Sequence, residues 1–462
     1  MQAIKQMKRF MEPQSVALVG VSRHTGEGAF NILENLLSYG YKGRIYPINP
    51  NVSEILGITT YSSVTEVPDN IDLAVIATPR HLVPHLVREC ATKEIKAIVI
   101  VAQGFSDAID EEGKQLQKEI DQIVRSNQTR IVGPNTFGTS NAFINFSSSF
   151  IRINMEKRPI GVICQTGVFF VGFSEVTLIG KGIDLGNACD INFADGLEYF
   201  EHDAEVNVIA LHIEGMQDTE RFINTARRVS RCKPVIALKT GRSEQAAMAA
   251  QSHTGSLTGA AEAWQAALRQ SGVLQAADLQ EFIDLIRTFS VLPPMKKSTI
   301  GVITITGGLG VAAIDACQGS RVRIDRLSLS TRKLLNDMSP SWIDMRNPVD
   351  IWPAMMVSQS AIDTLVKGLK VLLSDPQVGA VMFIAAAFDE RWQAWLCQLL
   401  AELTMAHRDK PVTCCIYGPC ANGTIKDLEQ IARVVAFTTP ERAIRALARL
   451  REYSSLTLEA PE

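Results

Sequence analysis

Between residues 15 and 135 short apolar runs alternate with stretches whose apolar positions recur about every three to four residues, the mark of amphipathic helices. The runs are SVALVG (15–20), GRIYPINP (43–50), DLAVIATP (72–79), KAIVIVAQGF (96–105) and TRIVGPN (129–135). None alternates apolar with polar, so each reads as a strand covered on both faces. The helical stretches between them are FNILENLLSYG (30–40), HLVPHLVRECATK (81–93) and about 108–126. Strand–helix alternation of this kind predicts a parallel sheet with right-handed crossovers.

The rhythm restarts at RPIGVICQTG (158–167) and continues through EVNVIALHIEGM (205–216), a helix at about 219–231 and KPVIALKTGRS (233–243). It restarts again at TIGVITITGGLGVAAIDAC (299–317), with later strands at GAVMFIAA (379–386), PVTCCIYG (411–418) and VVAFTT (434–439). SVLPPMKKS (290–298), rich in Pro and Lys, reads as a linker. The chain is therefore read as α/β throughout: a Rossmann-like domain at 1–140 and two flavodoxin-like domains at 141–292 and 299–462. No residue-level repeat relates the three.

Composition narrows the function classes. The 462 residues exceed what one compact core holds, and about three domains fit the length. With 46% hydrophobic and 21% charged residues and a net charge of −3, the balance points to neither a nucleic acid nor a membrane surface. The basic start MQAIKQMKRFMEPQ lacks an apolar core with a cleavage site, and no apolar run reaches the ~18 residues of a spanning helix. The 9 cysteines form no C-x-x-C pair, which suits a reducing, cytoplasmic setting and argues against a disulfide scaffold or a zinc site. The acidic groups at 110–112 and 389–390 show no metal spacing and read as solvated helix faces. No P-loop and no G-x-S-x-G elbow occurs.

Two stretches carry chemistry. VALVGVSRHTGEG places Gly20, Ser22, Gly26 and Gly28 after the first strand, where glycines and a helix start favour a phosphate. A dinucleotide site also wants an acid at the end of the second strand, and Asn49–Pro50 stands there instead. Arg23, Lys42 and Arg44 lie near in sequence and would suit a ligand with an extra phosphate, such as NADP or coenzyme A; a nucleotide-like fold with an empty site is the other reading. The second stretch is AAQSHTGSLTG (249–259), one histidine, His253, among small and hydroxyl residues. Taken alone it suits a solvated loop histidine, or one that is phosphorylated and carried.

The motifs together resemble the α part of the NDP-forming acyl-CoA synthetases, relatives of succinyl-CoA synthetase. The likeness runs through SVALVGVSRHTGEGAFNILENLLSYGYKGRIYPINPN, AVIATP, VIVAQGF, IVGPNTFG, CQTG, LGNACDI, IEGM, KPVIALKTGRSE, SHTGSLTG and TGGLG…NPVDI, in order along nearly the whole chain. The resemblance implies an ADP-forming acid–thiol ligase that interconverts acyl-CoA, ADP and phosphate with carboxylic acid, coenzyme A and ATP. It implies phosphohistidine at His253 and an orienting carboxylate at Glu214, with His212 structural. It implies helix N-termini for the phosphoryl group after GPNT and QTG, through Asn135, Thr136, Gln165, Thr166 and Gly167. Coenzyme A would meet Gly20, Ser22, Arg23, Gly26, Gly28, Lys42, Asn49, Pro50, Thr78, Pro79, Gln103 and Gly104. ATP/ADP and Mg2+ would belong to an ATP-grasp β subunit, in an α2β2 heterotetramer.

Thr136 replaces the family's usual cysteine, and Val168, Phe169 and Phe170 replace its small residues. Those rings either narrow the acyl site or belong to the core. Asn347, Pro348, Asp350 and the Gly307–Gly310 turn are read as structural. A non-catalytic coenzyme A-binding regulator or scaffold, and an NADP-dependent oxidoreductase, are the other readings.

Overall fold

The computed structural model describes residues 2–26, 28–173, 179–246, 261–431 and 433–458; His253 lies outside the described residues. The chain divides into two compact units, Met1–Ala277 and Asp278–Glu462.

The first unit opens with helix α1 (Gln2–Met11). A parallel sheet follows, built from β1 (Ser15–Val19), β2 (Arg44–Ile48), β5 (Leu73–Ile76), β6 (Ala97–Ile100) and β7 (Arg130–Val132). A two-stranded excursion, β3 (Glu54–Ile55) and β4 (Ile58–Thr59), interrupts it. The strand order is β2-β1-β5-β6-β7, and β1, β5 and β6 are buried along their whole length, as the unalternating apolar runs require. Helices α2 (Ile32–Tyr39), α3 (Val83–Thr92) and α4 (Glu111–Ser126) supply the crossovers. Asn31 caps α2 by accepting from Glu34 N–H, and Gly40 ends it in the left-handed region.

A seven-stranded sheet completes this unit, in the order β14-β13-β12-β10-β11-β8-β9. Its strands are β8 (Thr139–Asn141), β9 (Phe146–Ser147), β10 (Ile160–Cys164), β11 (Lys181–Asp184), β12 (Val208–Ile213), β13 (Val235–Lys239) and β14 (Leu274–Gln275). Strands β10 to β14 pair in parallel, whereas β8 runs antiparallel to both β11 and β9. The β8–β9 hairpin was not foreseen. One apolar cluster joins the two sheets, running from Phe10 and Leu33 through Phe146 to Phe200 and Val273.

The second unit holds β15 (Ile300–Thr304), β16 (Val349–Asp350), β17 (Ala380–Ala386), β18 (Val412–Tyr417) and β19 (Val434–Phe437), in the order β16-β15-β17-β18-β19 and all parallel. The helix Leu279–Val291 belongs to this unit, so the break in compactness precedes the Pro-rich stretch at 290–298. That stretch is no free linker: Met295 is fully buried, and its N–H donates to Ser454 Oγ in the C-terminal helix Pro440–Leu458. The acidic groups read as solvated faces also begin differently. Asp110 and Asp389 are helix N-caps, accepting from Gly113 N–H and Trp392 N–H, because a short carboxylate satisfies first-turn donors. All 9 cysteines are free, and no helix among the described residues is long and apolar enough to cross a membrane.

Candidate functional site

The carboxyl ends of parallel strands gather loops, and a reversal of strand order opens a crevice between them. In the first sheet that reversal lies between β1 and β5. Residue 20 must be glycine, since its φ is +83° and its Cα faces the backbone and side chain of Ala77 and Thr78. Gly26 (φ +96°) and Gly28 (φ +80°) stand in open space. Asn31 Nδ2 ties the loop down through Ser22 C=O and His24 C=O, both at 3.0 Å. Glu34 holds Gly26 N–H at 3.0 Å, and Ser22 Oγ accepts from His24 N–H. Asn49 bridges Val21 C=O and Asn51 N–H at the end of β2. Arg23, Lys42 and Pro50 are exposed, and Arg44 faces Asp69 at 3.5 Å.

An open cavity of about 600 Å3 lies where the loops after β5 and β6 meet those of the second sheet. Thr78 and Gln103 line it from the first sheet; Asn135, Thr136 and the Gln165–Gly167 loop line it from the second side. Thr78 Oγ1 is buried without a hydrogen-bond partner, a polar atom left for a ligand. Asp107 shapes the Gln103–Gly104 turn: its carboxylate accepts from Gly104 N–H (3.0 Å), Phe105 N–H (2.8 Å) and Asn187 Nδ2 (2.7 Å). Arg80, one residue past Pro79, donates to Gly104 C=O at 3.0 Å.

Of the two expected helix starts, the one after QTG forms and the one after GPNT does not. After GPNT the chain enters β8 instead of a helix. Gly133 (φ +100°), Asn135 (φ +59°) and Gly138 (φ +81°) hold the left-handed region, which a right-handed helix cannot use. Thr136 Oγ1 is engaged with Asp184 C=O and Gly138 N–H, so its hydroxyl closes the turn. After QTG a single turn follows, Val168–Val171. Phe169 and Phe170 are buried: Phe170 packs on Phe137 at 6.4 Å between centroids and Phe169 on the His212 ring at 4.6 Å. The rings are core, and of the three residues in question Val168 alone lines the cavity.

Gln165 fixes the end of β12. Its Oε1 accepts from Glu214 N–H (2.8 Å) and Gly215 N–H (3.1 Å), while its Nε2 is buried with no hydrogen-bond partner. Glu214 is itself buried, and Lys239 Nζ donates to its carbonyl at 2.9 Å. Burial pushes the Lys239 ammonium down to about 8. His212 Nε2 meets Thr240 Oγ1 at 3.2 Å inside the core, consistent with a structural role.

Asp184 was missed. It ends β11 beside Cys164 and lines the cavity. Its carboxylate accepts from Phe137 N–H at 2.7 Å and Gly186 N–H at 3.3 Å. Burial pushes its pKa up to about 6; the two N–H donors oppose that, and Glu214 adds to it. The signal available in the sequence was an acid closing the short segment KGID, just before LGNACDI. In the second unit Asn347 joins strand backbone, donating to Ile300 C=O (2.8 Å) and accepting from Val302 N–H (2.9 Å), as a structural residue would.

Residues 14–142 match the CoA binding domain family, and 157–289 match the succinyl-CoA ligase like flavodoxin domain family. The chain is 33% identical to the ADP-forming acetate–CoA ligase of Methanocaldococcus jannaschii over 98% of its own length and 64% of that protein's. It thus spans less than two thirds of this longer relative. It is also 33% identical to the α subunit of ADP-forming acetate–CoA ligase I of Pyrococcus furiosus, covering 97% of this chain and 98% of that one. The structure of dinucleotide-forming acetyl-coenzyme A synthetase 1 from Candidatus Korarchaeum cryptofilum, in complex with phosphate and ADP, superposes with a TM-score of 0.88 at 29% identity over 99% of both chains.

Proposed function

The chain belongs to the ADP-forming acetate–CoA ligase family, and on that premise we propose that it performs the acyl half of an ADP-forming acyl-CoA synthetase reaction. Coenzyme A binds the loops after β1, β2, β5 and β6, with its thiol end at the cavity. A phosphate oxygen attacks the thioester carbonyl; the C–O bond forms, the C–S bond breaks, and the phosphate proton leaves with the thiol. An imidazole nitrogen of His253 then attacks phosphorus, the acyl P–O bond breaks, and the carboxylate departs. Glu214 orients the imidazole and balances its positive charge. The observation that carries this reading is the convergence of Thr78 and Gln103 with Gln165, Thr166 and Gly167 on one cavity, where Gln165 also holds Glu214 by its backbone N–H.

ADP and Mg2+ are handled by an ATP-grasp partner, a separate β subunit in an α2β2 assembly, in the cytoplasm. The split Pyrococcus furiosus relative, matched nearly end to end, supports a separate partner.

Incubating the chain with acyl-CoA and labelled phosphate tests the reading. Label stable in base and lost in acid is expected, and His253→Ala should abolish it with coenzyme A affinity unchanged. Label retained on His253→Ala would overturn the phosphohistidine, and robust ATP turnover by the chain alone would overturn the division of labour.

A further inference from the structure

The second unit holds a cavity of about 380 Å3 that the acyl-transfer reading leaves unused; Asp325, Arg326, Arg332, Arg346 and Asn347 supply its polar lining. It lies beside the start of β15, away from the strand ends. Asn347 Nδ2 donates to the carbonyl of Ile300, the first residue of β15, whereas β16 pairs only with Ile303 and Thr304. The loop bearing Asp325 and Arg326 is tied to the same place, since Ile300 N–H donates to Arg323 C=O at 2.9 Å. Arg332 comes from the helix Leu329–Asn336, which Ser328 caps by accepting from Thr331 N–H.

The charges around this cavity do not balance. Asp325 is already answered by Arg323 at 3.0 Å. Asp344 is shared: Arg332 Nη2 reaches both of its oxygens at 3.1 Å, and Arg346 Nε reaches one at 3.0 Å. Those bonds hold the Asp344 carboxyl below the usual carboxylate range, so it stays ionised and keeps the two guanidinium groups together. The Arg326 side chain is exposed and pairs with no described residue. Arg332 Nε is buried with no hydrogen-bond partner. Among the described charged groups that line the cavity or pair with those that do, four guanidinium groups meet two carboxylates, a surplus of two positive charges.

We propose that this cavity is a second ligand site, which takes a phosphoryl group carrying two negative charges. It shares no residue with the loops that take coenzyme A in the first unit, and the proposal does not depend on the acyl-CoA reading. Guanidinium groups present paired N–H donors that match phosphate oxygens, which makes arginine suited to such a ligand. The volume falls within the roughly 300–1,000 Å3 of small-molecule sites, and Ile324 and Leu327 offer apolar wall to a small body behind the phosphoryl group.

Phenylglyoxal modification of arginine, followed by mass spectrometry on the full chain, reads the site directly. The probes are inorganic pyrophosphate and ribose 5-phosphate. At about 1 mM, a probe that binds with a Kd of about 0.1 mM should slow modification of Arg326 and Arg346 about tenfold. Arg321, exposed and outside the cavity lining, should be unaffected. Protection by ribose 5-phosphate assigns an organic phosphate ester, and protection by pyrophosphate alone assigns the inorganic ion. Arg326→Gln removes an exposed, unpaired side chain and should cut the protection of Arg346 to about twofold. Absence of protection by either probe would overturn the proposal. So would equal protection by potassium chloride at the same ionic strength, or full protection retained in Arg326→Gln.

Discussion

The first and third sheets are built to one plan. Both order their strands 2-1-3-4-5 in sequence of appearance, so both reverse direction at the same place. The first leaves residues 20–31 between β1 and α2, whereas the third turns from Thr304 into a helix at Gly307. That length decides whether the crevice is open. In the first sheet the space beside Gly26 and Gly28 is open and Thr78 Oγ1 has no hydrogen-bond partner. In the third, Thr306 N–H is held by Thr304 Oγ1, Gly307 lies against the Asp350 carboxylate, and Asn347 bonds strand backbone. A shared topology thus supplies a candidate crevice, and loop length with unengaged polar atoms decides which one is a site.

The widest test compares two strand-end acids. Glu214→Gln should slow phosphoryl transfer about 10²-fold or more, whereas Asp350→Asn should leave it unchanged. Quench-flow labelling from acyl-CoA and phosphate measures both, and equal losses would break the comparison. Next come the two glycine turns. Gly20→Ala forces a side chain at φ +83° against Ala77 and Thr78 and should cost about 2–3 kcal/mol in urea unfolding.

Asp184 gives a smaller, pH-shaped effect. Its folded pKa of about 6 lies above the usual 3.8. The folded state therefore holds the proton more tightly, and the group's contribution is full below about pH 4 and lost as pH rises through about 6. Asp184→Asn should accordingly gain on the wild-type protein between pH 4 and 7, by on the order of 2 kcal/mol. A pH-independent difference in urea midpoints would contradict the assigned burial. Smallest is Gly308→Ala. Nothing lies near an added Cβ and the backbone is helical, so the melting temperature should rise by the equivalent of about 0.5 kcal/mol.

Apolar strands covered on both faces were legible because burial leaves an unbroken run, as at Val16–Val19 or Ile98–Ile100. The β8–β9 hairpin was not, because all the buried residues of its strands but Phe146 are polar. Thr139 Oγ1 and Asn141 Nδ2 donate to the carbonyls of Phe10 and Met11, partners far away in sequence. Strand β11 was hidden in the same way: Lys181 is buried in an ion pair with Asp203 at 2.6 Å, and a lysine reads as surface. The glycine turn and the loops bearing Thr78, Gln103 and Gln165 stood out by residue type and spacing. Asp184 did not, because its place depends on sheet order, which sets β11 beside β10, and no periodicity encodes that. The expected helix after GPNT failed because Gly133, Asn135 and Gly138 hold the left-handed region.

The amino-terminal helix has a consequence for how such a gene can be cut. It precedes the first sheet in sequence, yet Phe10 and Met11 are bonded by β8, and Glu12 accepts from Tyr199 Oη at 2.7 Å. Asn35 on α2 likewise donates to Ser149 C=O and Phe150 C=O. A stop codon near residue 140 would therefore release a protein whose first strap has lost its anchorage and whose apolar underside is wet, a substrate for proteases and chaperones. Recombination can break or join open reading frames with least damage where compactness already breaks, at Ala277–Asp278. Within the first 277 residues two sheets are inherited as one piece.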